Sequence, residues 1–161
     1  MEKTRQIVKM KSIGYFSVLF LLGLFGCGPK DISPHAIQPE VDTCAVCHMS
    51  IVDEAYAAQT VYTNGDYKVF DDLGCLVQYA VEKQTADVGA NYVKDAETAE
   101  WLQADQATFV YHPDFWTPMS YGVLAFATPQ KAEAYIDREG KGKILKQSDL
   151  QQHEWGVHDH E

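Results

Sequence analysis

Val61-Tyr62-Thr63-Asn64-Gly65-Asp66-Tyr67-Lys68-Val69-Phe70-Asp71-Asp72-Leu73 is the stretch that decides the fold class. Asn64-Gly65 is the dipeptide that supplies positive φ at both centres of a two-residue hairpin turn. Strand-like runs flank it, over residues 55–63 and 66–70, so that Tyr62 is expected to face Tyr67. Two aspartates follow at once. Asp71 or Asp72 is placed to cap a helix in which Leu73, Leu76, Val77 and Ala80 recur at i, i+3, i+4 and i+7, ending near Gln84. A short strand over residues 90–94 completes a β-β-α-β unit.

The second half of the chain repeats this order. Residues 107–112 and 121–127 read as strands. Thr128 then stands as N-cap, Pro129 at the first helical position, Ala132, Tyr135 and Ile136 on an apolar face, and Gly140 at the stop. Residues 143–146 make the last strand. Laying Phe70 on Phe126 also lays Tyr79 on Tyr135, the mark of a weak internal repeat. The body therefore reads as α+β, with two related β-β-α-β units.

The chain has 161 residues and a formal net charge of −10, from 13 Lys plus Arg against 23 Asp plus Glu. That surface repels phosphate backbones, which argues against nucleic acid as a partner. The basic residues are unevenly spent: Lys3, Arg5, Lys9 and Lys11 precede an apolar run over residues 13–25, the pattern of a secretory signal peptide spanning residues 1–26. The run ends in Leu24-Phe25-Gly26-Cys27, which resembles a bacterial lipobox and makes Cys27 the expected site of lipid attachment. Localisation follows as the periplasmic side of a bacterial membrane. Residues 27–42, with Pro29, Pro34 and Pro39, are expected to be an extended linker. Residues 43–148 then form the functional domain and 149–161 a solvated tail, in which His153, His158 and His160 lie among acids.

With Cys27 set aside, three cysteines remain, Cys44, Cys47 and Cys75, together with two methionines, Met49 and Met119. Cys44-Ala45-Val46-Cys47-His48-Met49 puts two thiols, an imidazole and a thioether within six residues. Four readings stand. Polarisable thiolate and thioether donors select Cu(I), and the methionines favour copper over zinc. Cys44-x-x-Cys47-His48 also matches the c-type haem attachment motif, with Met119 as a possible axial ligand, although the flanking segments read as strands rather than the helices of a small cytochrome. A membrane-tethered thiol-disulfide protein is the third reading, though no strand leads into a helix at Cys44. The fourth is a structural zinc or disulfide clip completed by Cys75 or a histidine. Cys75, in the first turn of the helix, is equally a candidate ligand and a small core residue. Asp71 and Asp72 serve either to orient a ligand or simply to cap the helix.

The order Cys44-x-x-Cys47-x-Met49, Phe70-Asp71-Asp72 leading into Cys75-Leu76, Trp101-Leu102 before Ala107-x-Phe109-Val110, Pro118-Met119-x-x-Gly122 and Ala125-Phe126-Ala127 resembles the NosL family over residues 40–146. These are lipoproteins accessory to nitrous-oxide reductase. The resemblance implies a Cu(I)-binding periplasmic protein, not an enzyme, that delivers copper for the reductase's copper–sulfide centre. It implies a fold of two related β-β-α-β units, similar to that of organomercurial lyase. It also implies a metal site drawn from Cys44, Cys47, Met49 and Met119. The implied partners are the reductase, the membrane reached through lipid, and a transporter serving copper-site assembly. One departure stands out: the family usually carries Gly where this chain has His48.

Overall fold

The computed structural model describes residues 30–39, 41–84 and 86–155. The expected signal peptide, Cys27, His158 and His160 lie outside them. The elements belong to a unit that begins at Asp31, and among the described residues no helix is long and apolar enough to cross a membrane.

Two sheets carry the fold. The first half gives β1 (Ala58–Tyr62), β2 (Tyr67–Phe70), α1 (Leu73–Lys83), β3 (Val88–Lys94) and β4 (Trp101–Gln103). The second gives β5 (Thr108–Tyr111), β6 (Val123–Phe126), α2 (Pro129–Glu139), β7 (Lys143–Leu145) and the short α3 (Gln147–Leu150). Strand order is β2-β1-β3-β4 in one sheet and β6-β5-β7 in the other, antiparallel throughout. The β-β-α-β unit thus occurs twice, with its first strand in the middle each time. The repeat extends to single residues. Phe70 and Phe126 each end the second strand of their unit, and each helix begins three residues later and runs for 11. Tyr79 packs on Phe70 at 5.3 Å between ring centroids, and Tyr135 on Phe126 at 4.9 Å.

Register explains why the halves share a core. Ala58 lies opposite both Phe70 and Val93, and Phe109 opposite both Ala125 and Leu145. All six residues enter one buried cluster. Each of those phenylalanines is fully enclosed, so truncating either to Ala would cost about 3–5 kcal/mol. Asp95 clamps the units together. A parallel bridge pairs it with Ala125, and its Oδ2 accepts from Ala127 N at 3.0 Å.

Four local expectations need correction. The hairpin at Asn64-Gly65 has a longer loop than two residues, so Tyr67 faces Val61 rather than Tyr62. Only Gly65 takes positive φ there, at 86°, because Asn64 Oδ1 instead accepts from Asp66 N at 2.9 Å and folds the turn around its own side chain. Residues 55 and 56, at the start of the run expected as strand, instead belong to a 3-10 turn over Glu54–Tyr56 capped by Asp53. The stretch expected to be an extended linker is held against the first sheet from Ile32 onward, where the Tyr92 hydroxyl donates to Ile32 O at 3.0 Å. Gln59, buried in the sheet, exchanges hydrogen bonds with the backbone of His35 at 2.6 and 2.9 Å, His35 stacks on Tyr67, and Ile37 is buried. Finally, the tail packs as far as Trp155, whose ring meets Tyr121 and whose Nε1 donates to Leu150 O at 2.9 Å.

Candidate metal site

The Cys44–Met49 segment is a tight hairpin-like loop. Thr43 bridges Ser50, Cys44 N donates to Met49 O at 2.9 Å and His48 N to Cys44 O at 3.1 Å. Closing so short a loop puts His48 at φ 62°, a conformation that favours glycine. Ala45 N then donates to Val69 O at 3.0 Å, which fixes the loop against the end of β2. One residue beyond Phe70 stands Asp71, and three beyond Asp72 stands Cys75, in the first turn of α1.

These connections bring together Cys44, Cys47, Asp71 and Cys75. Their donor atoms all lie within 4.8 Å of one another, and the Cys47 thiol donates to Asp71 Oδ2 at 3.4 Å. Cys44 and Cys75 have no exposed surface and Asp71 almost none, while Cys47 is half-buried. Asp71 Oδ1 is enclosed without a hydrogen-bond partner. A buried polar atom left unpaired costs roughly 1–3 kcal/mol, so the cluster is a donor set that a cation would complete.

Three thiols at this separation cannot all ionise. The Cys75 thiol donates to Cys44 and holds the Cys44 thiol well below its usual range, at about 6. Burial pushes Cys47 up to about 12. Cys75 is driven above the usual thiol range by that same hydrogen bond and by burial. The site thus favours ionisation of Cys44 over that of Cys47 and Cys75, and a metal bound through protonated sulfurs would displace their protons.

The two methionines sit differently. Met49 is 47% exposed at the end of the cysteine loop. Met119 is half-buried and packs against the core cluster that contains Cys44 and Cys75, and its backbone N–H donates to Asp72 Oδ2 at 3.1 Å. His48 is exposed and stands outside the four-donor cluster. Asp71 was legible in the sequence only as a cap or an orienting group. The available signal was its place immediately before a capped helix carrying a first-turn cysteine. Sequence alone does not reveal that Asp71 and Asp72 point to different neighbours.

The model of the NosL family matches residues 34–155. The chain belongs to the NosL family. The fold agrees with a solved member, the copper chaperone NosL from Shewanella denitrificans, at a TM-score of 0.65 and 22% sequence identity, covering 76% of this chain and 98% of that one. No curated protein matches the chain. Within this NosL fold the covalent-haem reading meets a steric obstacle. A thioether to haem needs a sulfur that a porphyrin edge can reach, and Cys44 is enclosed against Cys75 and Asp71. The thioredoxin-like reading lacks its helix, since Cys44 lies in a bridged loop rather than at a helix N-terminus.

Proposed function

We propose that this NosL-family protein carries copper as Cu(I) and hands it on without catalysing a reaction. The observation that carries the reading is the convergence of three cysteine sulfurs beside Asp71, with the Met119 loop packed against the same core. Sulfur donors select Cu(I), which accepts two or three ligands and leaves room for a donor from another protein. The enclosed Cys44 and Cys75 would retain the ion. Cys47, half-buried, and Met49, exposed, would form the side from which it is approached. A recipient's thiolate or imidazole could then add before the last ligand of the carrier lets go.

Partners and place belong to the same proposal. The recipient would be nitrous-oxide reductase, with copper going to its copper–sulfide centre, in concert with a transporter serving that assembly. The lipid on Cys27 would hold the protein at the periplasmic side of a bacterial membrane, inner or outer.

The test is a cuprous titration against a competing chelator under reducing conditions. About one equivalent should bind tightly, and Cys47→Ser or Met119→Ala should weaken binding by at least about tenfold. Undiminished affinity in both variants would remove the site. Three sulfurs and a carboxyl also make a complete donor set for tetrahedral zinc, so a parallel zinc titration separates the two ions. Zinc that cannot be displaced by stoichiometric Cu(I) would favour the structural-clip reading.

A further inference from the structure

We propose that Asp72, together with the Thr117 hydroxyl, positions Met119 for the cargo ion; the inference rests on Met119 being a copper donor. Asp72 is 1% exposed, and a carboxyl is seldom buried that deeply unless each oxygen has a partner. Its oxygens are divided between two elements. Oδ1 accepts from Gly74 N at 2.9 Å and caps α1, while Oδ2 accepts from Met119 N at 3.1 Å, across 47 residues of chain.

The internal repeat supplies the control. At the equivalent position of the second unit the cap is Thr128, whose single hydroxyl accepts from Lys131 N at 3.3 Å. One oxygen is therefore enough to start such a helix. The second oxygen of Asp72 has no capping duty, and its partner is the methionine loop.

Thr117 extends the same support. It is 2% exposed, and its Oγ1 accepts from Tyr121 N at 3.1 Å and from Gly122 N at 3.4 Å, while its hydroxyl is among the groups that offset the upward push of burial on the Asp72 carboxyl. The loop between them is tightly drawn. Ser120 N donates to Thr117 O at 2.9 Å, and Ser120 and Gly122 both take positive φ, at 56° and 66°. Asp72 itself is extended, with φ −146° and ψ 146°, and successive residues of extended chain send their side chains to opposite sides. Asp71 therefore meets Cys47, and Asp72 meets the Met119 loop. The start of α1 is the common post from which the cysteine cluster and the thioether loop are hung.

The discriminating variant is Asp72→Ser, which keeps an oxygen for Gly74 N but is too short to reach Met119 N. Its Cu(I) affinity should fall about as far as that of Met119→Ala, roughly 10–100-fold for lost orientation of a ligand. The double variant Asp72→Ser/Met119→Ala should be no weaker than Met119→Ala alone. X-ray absorption of the copper-loaded Asp72→Ser protein should show one sulfur neighbour fewer than wild type. Thr117→Val should reproduce the loss and Thr117→Ser should restore affinity, a pair that reads the same device if Asp72→Ser does not fold. Additive losses in the double variant, or an unchanged sulfur count with unchanged affinity in either Asp72→Ser or Thr117→Val, would overturn the proposal. Failure of Met119→Ala to weaken binding is a different outcome. It removes Met119 as a donor, and the positioning role with it.

Discussion

His48 shows how a single residue can trade stability for something else. Its backbone is left-handed at φ 62°, which costs a residue with a Cβ about 1–2 kcal/mol relative to its relaxed state. Glycine adopts that conformation without strain but loses more freedom on folding. The strain outweighs that loss of freedom, so His48→Gly should raise stability by about 1 kcal/mol, read as a higher denaturant midpoint with unchanged slope. Cys44 supports a second prediction. Its thiol is lowered from 9.0 to about 6 by the Cys75 thiol, so metal-free protein should show one thiolate absorbance step near pH 6. Cys44→Ser should abolish the step, and Cys75→Ala should move it upward. Stability has the matching sign. A group whose pKa is depressed by folding stabilises above its unfolded value, so this contribution fades as pH falls from 9 towards 6.

At the scale of elements, propensity and packing disagree inside α1, and packing wins. Gly74 sits in the first turn, where Ala would ordinarily gain about 1 kcal/mol. A Cβ there would collide with the rings of Tyr121 and Trp155, the latter at 2.7 Å from Cε3. Both rings are held, Tyr121 by the amide of Gln78 at 2.6 Å and Trp155 by Leu150 O. Overpacking of this kind costs about 1–3 kcal/mol, so Gly74→Ala should destabilise despite its better propensity, and a thermal melt would show a lower midpoint. The same glycine marks where periodicity misleads. The spacing of Leu73, Leu76, Val77 and Ala80 promises a stripe along the helix, yet burial is concentrated at its N-terminal end, from Leu73 to Val77, and Ala80 is exposed. The buried end is the end that carries Cys75.

For the molecule as a whole, the C-terminal residues as far as Trp155 belong to the structure rather than trailing from it. His153 stands between Tyr111 and Trp155, at 4.5 and 4.7 Å between ring centroids. Burial first, and the neighbouring Lys143 ammonium second, hold its imidazole below the usual 6.5. The fold thus prefers neutral His153. Its contribution is complete above the unfolded value and is lost as pH falls through the lower folded one. Unfolding free energy should accordingly decline below about pH 6.5. His153→Gln should flatten that part of the curve, and an unchanged slope would show that acid sensitivity resides elsewhere.

How much of this was legible in advance depends on the range of the interactions involved. A helix start at Asp71 or Asp72 and another at Thr128, stops near Gln84 and at Gly140, the doubled β-β-α-β order and the Phe–Tyr pairs of the repeat were all readable, while the choice of Asp72 as the cap was the structure's. Each follows from caps, turn residues and periodicities within about a dozen positions. The hairpin register was missed because Asn64 bonds to Asp66 rather than adopting the paired positive-φ turn. The packing of the linker and of the tail as far as Trp155 is not legible locally, because proline-bearing composition in the one and polar composition in the other do not reveal that Gln59 and Leu150 will hold them. Local pattern was enough to place both long helices and the strands of the doubled unit, and to name the donor atoms on offer, but not the 3-10 turn at Glu54–Tyr56, β4 or α3. Long-range packing is what brings Cys44 and Cys47 to Asp71 and Cys75, and Asp72 to Met119. Cys47 and Asp71 are separated by 24 residues of chain and Asp72 and Met119 by 47, and they converge through the docking of the cysteine loop on β2 and of one unit on the other in a shared core, for which no local pattern sets the partner.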